Sequence, residues 1–205
     1  MKKKFYRVRL NYDGEVIEGV PYFKFKEVLY SDLAKHYIKP WNYQLSLLRR
    51  FFIETILPVR EKIGRMKVTS GVRDKIVMST LFNLGRYPSF TTDHAYLDPQ
   101  VNSFGVGAID FIPLDIDIKE AYEIIYDIYK NEKIPLGQLI IYQKRLNRSS
   151  FIHISYSKYR VFTGWFADKV IKSQSVRFLE CKYGEDGKPH YYKVQIKNNK
   201  PIITI

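Results

Sequence analysis

Thr92-Asp93-His94-Ala95-Tyr96-Leu97-Asp98-Pro99-Gln100-Val101-Asn102-Ser103-Phe104-Gly105-Val106-Gly107-Ala108-Ile109-Asp110 is the stretch on which the reading of this chain turns. His94 and Asp110 bracket a glycine-containing turn that runs into the strand-like Ala108-Ile109-Asp110-Phe111-Ile112. A carboxylate between Ile109 and Phe111 must be paired or bind a metal, because burying it bare costs several kcal/mol. Downstream, Phe151-Ile152-His153-Ile154-Ser155 places a second imidazole in another strand-like run, on one face with Phe151 and Ser155. Taken singly, His94 reads as an exposed loop residue and His153 as a hydrogen-bonded core histidine. Together, two imidazoles and a carboxylate are a common set for a zinc ion that keeps one position open for water.

Outward from this stretch, apolar periodicity supplies the framework. Residues 3–12 alternate, then Asp13-Gly14 and Val16-Ile17 follow, which predicts a hairpin turning at Asp13-Gly14. Phe23-Lys24-Phe25-Lys26 alternates again, and Ser31 or Asp32 is placed to cap a short helix reaching His36. From Asn42, the recurrence of Leu45, Leu48, Phe52, Ile56, Val59 and Ile63 predicts a long helix stopped at Gly64, with a kink or break at Pro58. Met66-Lys67-Val68-Thr69 reads as a strand, and the segment from there to Pro88 has no clean period. Asp117 with Glu120 predicts a capping box on a second helix that buries Ile118, Tyr122, Ile125 and Tyr129. Gln138 to Tyr142 and Phe151 to Tyr156 read as buried strands, and Phe178 to Tyr183 and His190 to Ile196 as a hairpin about Gly184-Glu185-Asp186-Gly187.

Composition bounds the partners. An apolar content of 45% over 205 residues excludes a disordered chain, and no run of about 18 apolar residues predicts a membrane span. Met-Lys-Lys-Lys leads into Phe5-Tyr6-Arg7 with no apolar stretch behind it, so no secretory signal is expected. Cys181 is the only cysteine, which rules out an internal disulfide and a thiolate metal cluster. Of the net charge of +13, the stretch from Ile141 to Ile205 carries +9, with 13 Lys/Arg against 4 Asp/Glu. Such a surface attracts polyanions or acidic proteins, or simply keeps the protein in solution. A nucleic-acid reading rests on this charge and its interleaved aromatics alone and ranks last.

The order of the candidate residues resembles that of the D-Ala-D-Ala carboxypeptidase-like zinc peptidases, which share a hedgehog-type fold and cleave peptidoglycan stem peptides. The short versions common in bacteriophages are the most similar. Ser70-Gly71-Val72-Arg73, then His94, then Gly107-Ala108-Ile109-Asp110, and finally Phe151-Ile152-His153-Ile154-Ser155 follow the family's pattern. Phe25 to Ala34, Trp41-Asn42 and Gln138-Leu139-Ile140 extend the likeness over roughly Phe23 to Tyr156. The resemblance implies that His94, Asp110 and His153 hold a zinc ion (Zn2+), that Arg73 binds a substrate carboxylate or carbonyl, and that Ser70 supports the site by hydrogen bonding. It further implies a phage-encoded D,D-carboxypeptidase or endopeptidase, made in the host cytoplasm, acting on the host wall and carried in a virion or released to it.

Two departures stand out. His94 and Asp110 lie sixteen residues apart, more than the family's usual interval, and Tyr96 to Ser103 reads as a loop inserted between the ligands. The general-base carboxylate that the family carries after Gln-Leu-Ile, or three residues before the last His, is replaced by Tyr142 or Ser150. Tyr142 is then the leading candidate in that region, although a phenol is a poor base near neutrality unless its pKa is depressed. Asp93, Asp98 and Asp115 are the other candidates. The missing acid keeps a second function open, a catalytically impaired peptidase fold serving as a virion structural or binding protein, docked to other virion proteins through the basic C-terminal region. The expected fold is α+β, a small mixed sheet with Asp110 and His153 on neighbouring strands and two long helices on one side. Expected boundaries are an N-terminal hairpin at 1–22, a zinc-peptidase-like domain at 23–160 and a basic β extension at 161–205.

Overall fold

A computed structural model of the chain describes residues 5–86, 92–98, 100–101, 107–143, 149–156, 176–184, 186 and 188–204. The segments around Pro88 and Ser103 and residues 144–148 lie outside these residues. A short hairpin, β1 (Val16–Ile17) and β2 (Val20–Lys24), leads into helix α1 (Phe25–Leu29). A two-residue pairing of β3 (Tyr30–Ser31) with β4 (His36–Tyr37) follows. Helix α2 (Asn42–Phe51) continues through a π-helical turn at Phe52–Ile56 into α3 (Leu57–Ile63). Next come β5 (Met66–Ser70), α4 (Lys75–Asn83), a 3-10 turn at Asp93–Ala95, β6 (Ala108–Pro113) and α5 (Ile118–Glu132). The chain closes with β7 (Gln138–Tyr142), β8 (Phe151–Ser155), β9 (Arg177–Tyr183), β10 (Pro189–Lys193), β11 (Gln195–Lys197) and β12 (Lys200–Ile202).

Six of these strands form one mixed sheet in the order β10-β9-β7-β8-β6-β5. Only β7 and β9 pair in parallel. Alternation along the three central strands sends Ile109, Phe111, Leu139, Ile141, Ile152 and Ile154 into the main core, where each is fully buried and worth about 1.5–3 kcal/mol. Ala121, Tyr122, Ile125 and Ile128 of α5 meet them there, and the Tyr122 hydroxyl donates to the Leu139 carbonyl at 3.2 Å. The apolar stripe of α2 and α3 (Leu47, Leu48, Phe51, Val59, Ile63) closes the same core. The residues that alternate with the apolar set, among them Asp110, His153, Ile140 and Tyr142, are left on the sheet's other face. One face of the sheet therefore holds the fold together, and the other is available for chemistry.

Several elements differ from the sequence expectation. The N-terminal hairpin turns at Glu18-Gly19, and Asn11 to Glu15 instead form a tight turn closed by the Glu15 N–H on the Asn11 carbonyl at 2.9 Å. Ile17, Val20 and Phe23 of this hairpin belong to the main core. Ser31 caps no helix: its hydroxyl accepts the Ala34 N–H at 3.2 Å inside the β3–β4 turn. Pro58 does not break the long helix, because the π turn just before it shifts the hydrogen-bonding register, with the Leu57 N–H reaching back to the Phe52 carbonyl. Helix α4, in the segment without a period, buries only Val77 and Met78 and so writes no apolar stripe into the sequence; the Asp74 side chain caps it by accepting the Val77 N–H at 3.0 Å.

Of the described part of the expected insertion, all but Gln100 is buried. Tyr96 and Leu97 are fully buried and Asp98 nearly so. Both Tyr96 (φ 50°) and Leu97 (φ 58°) sit in the left-handed region, which costs an L-residue roughly 1–2 kcal/mol each. Burial of the two side chains offsets that strain, and two hydrogen bonds fix it: Tyr96 hydroxyl to the Ala108 carbonyl, and Tyr43 hydroxyl to the Leu97 carbonyl, both at 3.2 Å. Gly107 (φ +144°) makes room for this packing, since a Cβ there would stand 3.1 Å from the Tyr96 ring.

Candidate metal centre

The first side chain of the centre is placed by a clasp between two turns. After β5 the chain runs Ser70-Gly71-Val72-Arg73, and the Arg73 N–H donates to the His94 carbonyl at 2.8 Å. In return His94 Nδ1 lies 2.7 Å from the Gly71 carbonyl oxygen. A carbonyl can only accept, so Nδ1 carries the ring proton and Nε2 presents a lone pair. This is the arrangement by which outer partners fix the tautomer of metal-binding histidines. His94, which taken singly reads as an exposed loop histidine, is buried, 2% exposed.

The other two side chains come from the sheet. Asp110 on β6 is paired in register with Ser70 on β5 and with His153 on β8. Directly paired residues project on the same face, so the carboxylate and the imidazole of His153 rise side by side. Asp110 Oδ1 lies 2.8 Å from His153 Nδ1 and 3.3 Å from His94 Nε2, and the two ring nitrogens are 3.3 Å apart. All three residues are buried.

The charges around Asp110 are unbalanced in its favour. Burial alone would push its carboxyl up, but the two histidines beside it, His94 first and then His153, outweigh this, since a proton on either ring favours the carboxylate, and hold it well below the usual carboxylate range. Arg73 donates through Nη2 to Asp110 Oδ2 at 3.2 Å and holds Ser70 Oγ through Nε and Nη2 at 3.3 and 3.0 Å. Ser70 and Arg73 thus brace the carboxylate from the side away from the histidines, and Arg73 Nη1 has no partner among the described residues. His94 is pushed the other way, with burial first and the charge of Arg73 second lowering its pKa below the ordinary histidine value, against a smaller opposing pull from Asp110.

No family model, curated protein or solved structure matches this chain. What the centre can do follows from its own donors. With Nδ1 of His94 committed to Gly71 and the ring neutral, its Nε2 lone pair faces a carboxylate oxygen at 3.3 Å with no proton of its own to share. Two buried acceptors turned on one another repel unless a cation lies between them. Ligand bonds of about 2.0–2.1 Å at tetrahedral angles separate neighbouring ligand atoms by about 3.3 Å, and two edges of this triangle have that length. Among the described residues this is the one group of three such side chains able to hold a metal ion. The donor set fits a divalent cation.

Tyr142, at the end of β7, stacks on Phe151 with ring centroids 4.3 Å apart and planes 11° apart. Its hydroxyl lies 3.2 Å from that of Tyr191 on β10, a residue the sequence reading did not single out. The Tyr142 phenol is pushed up, by burial first and then by Tyr191 and Asp110, so it keeps its proton. Tyr142 in this form is a hydrogen-bond donor, where the sequence reading cast it as a base. The candidate carboxylates are engaged elsewhere. Asp93 Oδ2 accepts from Gln138 Nε2 at 2.7 Å, Asp98 Oδ1 from the Gln100 N–H at 2.9 Å, and Asp115 pairs with Arg65 beyond the far end of β6.

A pH dependence of the metal-free protein follows. His94 in the folded state resists protonation, whereas in the unfolded chain it titrates near 6.5. Below that value the unfolded state binds the extra proton, so stability falls as pH drops. Urea midpoints of chelator-treated protein should decline from pH 7.5 to 5.5, with a shallower decline for His94→Gln. A flat wild-type profile would contradict the assignment. The depressed pKa of Asp110 adds a further loss only as pH falls through the carboxylate range.

No helix among the described residues is long and apolar enough to cross a membrane. The N-terminal hairpin packs Ile17, Val20 and Phe23 into the main core, and β9 and β10 complete the central sheet.

Proposed function

We propose that the chain is a zinc-dependent peptidase of the D-Ala-D-Ala carboxypeptidase-like type, phage-encoded and acting on peptidoglycan stem peptides. The observation that carries this reading is the convergence of His94 Nε2, Asp110 Oδ1 and His153 Nδ1, in which the His94 Nε2 lone pair faces a carboxylate oxygen. It is supported by the order of Ser70-Gly71-Val72-Arg73, His94, Asp110 and His153 along the chain. His94, Asp110 and His153 would hold the ion. Bound there, zinc supplies Lewis acidity toward a carbonyl and lowers the pKa of water. The chain's own residues do the rest. Arg73 orients the ligand carboxylate through Nη2 and offers Nη1 to a substrate carboxylate, a task suited to its planar fork. Tyr142 offers a phenolic proton to a substrate oxygen.

One feature favours a second reading. Tyr142 and Ser150 stand where the resemblance implies a general-base carboxylate, which fits a metal-holding fold that binds wall peptides or other virion proteins without cleaving them. One pair of measurements decides between them. Purified protein should carry one equivalent of zinc, and incubation with pentapeptide muropeptides should release D-Ala or split cross-links by mass analysis. Full zinc occupancy with intact muropeptides would select the binding reading, and zinc well below one equivalent would remove both.

A further inference from the structure

A row of side chains continues the metal face away from the histidines, and Tyr142 is only its first member. In the sheet, Tyr142 of β7 is in register with Cys181 of β9, and Cys181 with Tyr191 of β10. Residues in register across a sheet project on one face. Tyr142 lies two residues beyond Ile140, the partner of His153, so this row shares the face of His153 and Asp110. Cys181 is fully buried in the middle of the row, and the two tyrosines meet above it, their hydroxyl oxygens 3.2 Å apart. Phe151 clamps the Tyr142 ring from the other side. Asp110 acts electrostatically on both phenols, and Arg73 acts on Tyr191. Tyr191 is 52% exposed, yet its hydroxyl lies against that of Tyr142 and not in solvent alone.

A pair of phenols has two O–H groups and spends one of them inside the pair. The accepting phenol keeps its own proton for an outside oxygen, and donation into it makes that proton a better donor. We propose that Tyr142 and Tyr191 act as one donor unit that hydrogen-bonds an oxyanion, a carboxylate or tetrahedral oxygen, of a ligand held at the His94–Asp110–His153 centre, so that the C-terminal hairpin is part of the site. This rests on the metal-centre reading above and deepens it. Tyr191 is the positioning member where Tyr142 makes the outside contact.

The test uses the full chain loaded with cobalt(II) and titrated with acetohydroxamate, followed by the visible absorption of the metal. Wild type should bind one equivalent of cobalt and the probe. Tyr191→Phe and Tyr142→Phe should each raise the probe Kd about tenfold with cobalt still at one equivalent, since one charge-assisted hydrogen bond is lost. The double variant should be no worse than either single one, because the pair acts as a unit. Tyr192→Phe, whose ring lies on the other face against Lys182, should change nothing. Cobalt bound with an unchanged probe Kd in Tyr191→Phe overturns this inference alone, as does a double variant that loses the product of the two effects. Wild type that binds no cobalt overturns the metal reading and this inference with it.

Discussion

Asp110→Asn should abolish the response of the protein to zinc. The wild-type chain, given free zinc at a thousandfold over its Kd, should gain about 4 kcal/mol of stability, because an ion bound only by the folded state shifts the equilibrium by RT ln(1 + [L]/Kd). Asp110→Asn keeps the shape of the side chain but replaces a charged ligand oxygen by a neutral amide. The variant should retain less than a tenth of an equivalent of zinc after dialysis and show the same urea midpoint with zinc or with chelator. The alternative is that Asp110 is only an ion-pair partner of Arg73, the ordinary fate of a buried carboxylate. On that account the substitution destabilises the chelator-treated protein and zinc does nothing to the wild type. The two accounts differ in the wild type itself, so the experiment does not depend on how well the variant folds.

Much of the centre was legible because its residues obey local rules. Asp110 and His153 fall on the polar side of otherwise apolar runs, and alternation alone puts each on a face opposite the core. That the two strands are neighbours, and in a register that sets Asp110 opposite His153, is a tertiary fact that the pattern allowed but did not contain. The same limit explains the misses. Tyr191 comes to lie beside Tyr142 only because β9 lies parallel to β7 and brings β10 with it, a pairing between strands far apart in the chain. Helix α4 lacked a stripe because it has little to bury. The stretch from Tyr96 to Ser103 looked like an insertion because sixteen residues separate His94 from Asp110, more than the resemblance implies. Its backbone strain and its buried tyrosine become visible only in three dimensions.

Gly71→Ala should cost the protein about 3–5 kcal/mol of stability and weaken zinc binding about 10–100-fold. A Cβ at Gly71 would stand 2.1 Å from the carbonyl oxygen of Val28 and 2.7 Å from two further backbone atoms of the same residue. No side-chain rotation relieves a clash with backbone, so either α1 or the turn after β5 must move. Both movements are expensive. The Val72 N–H donates to that same Val28 carbonyl at 2.9 Å, and Val28 and Leu29 are buried in the main core. The Gly71 carbonyl is the group that fixes the His94 ring, so displacement of the turn frees the imidazole to choose the wrong tautomer. Gly14→Ala is the control. The three atoms nearest its added Cβ all belong to the Asn11 side chain, which can swing away, and both stability and zinc affinity should stay near wild type. Denaturant midpoints with and without zinc separate the two costs, since the packing term persists in chelator and the ligand term does not. If Gly71→Ala lost stability but kept full zinc affinity, the clasp between Gly71 and His94 would be a matter of packing and not of ligand orientation.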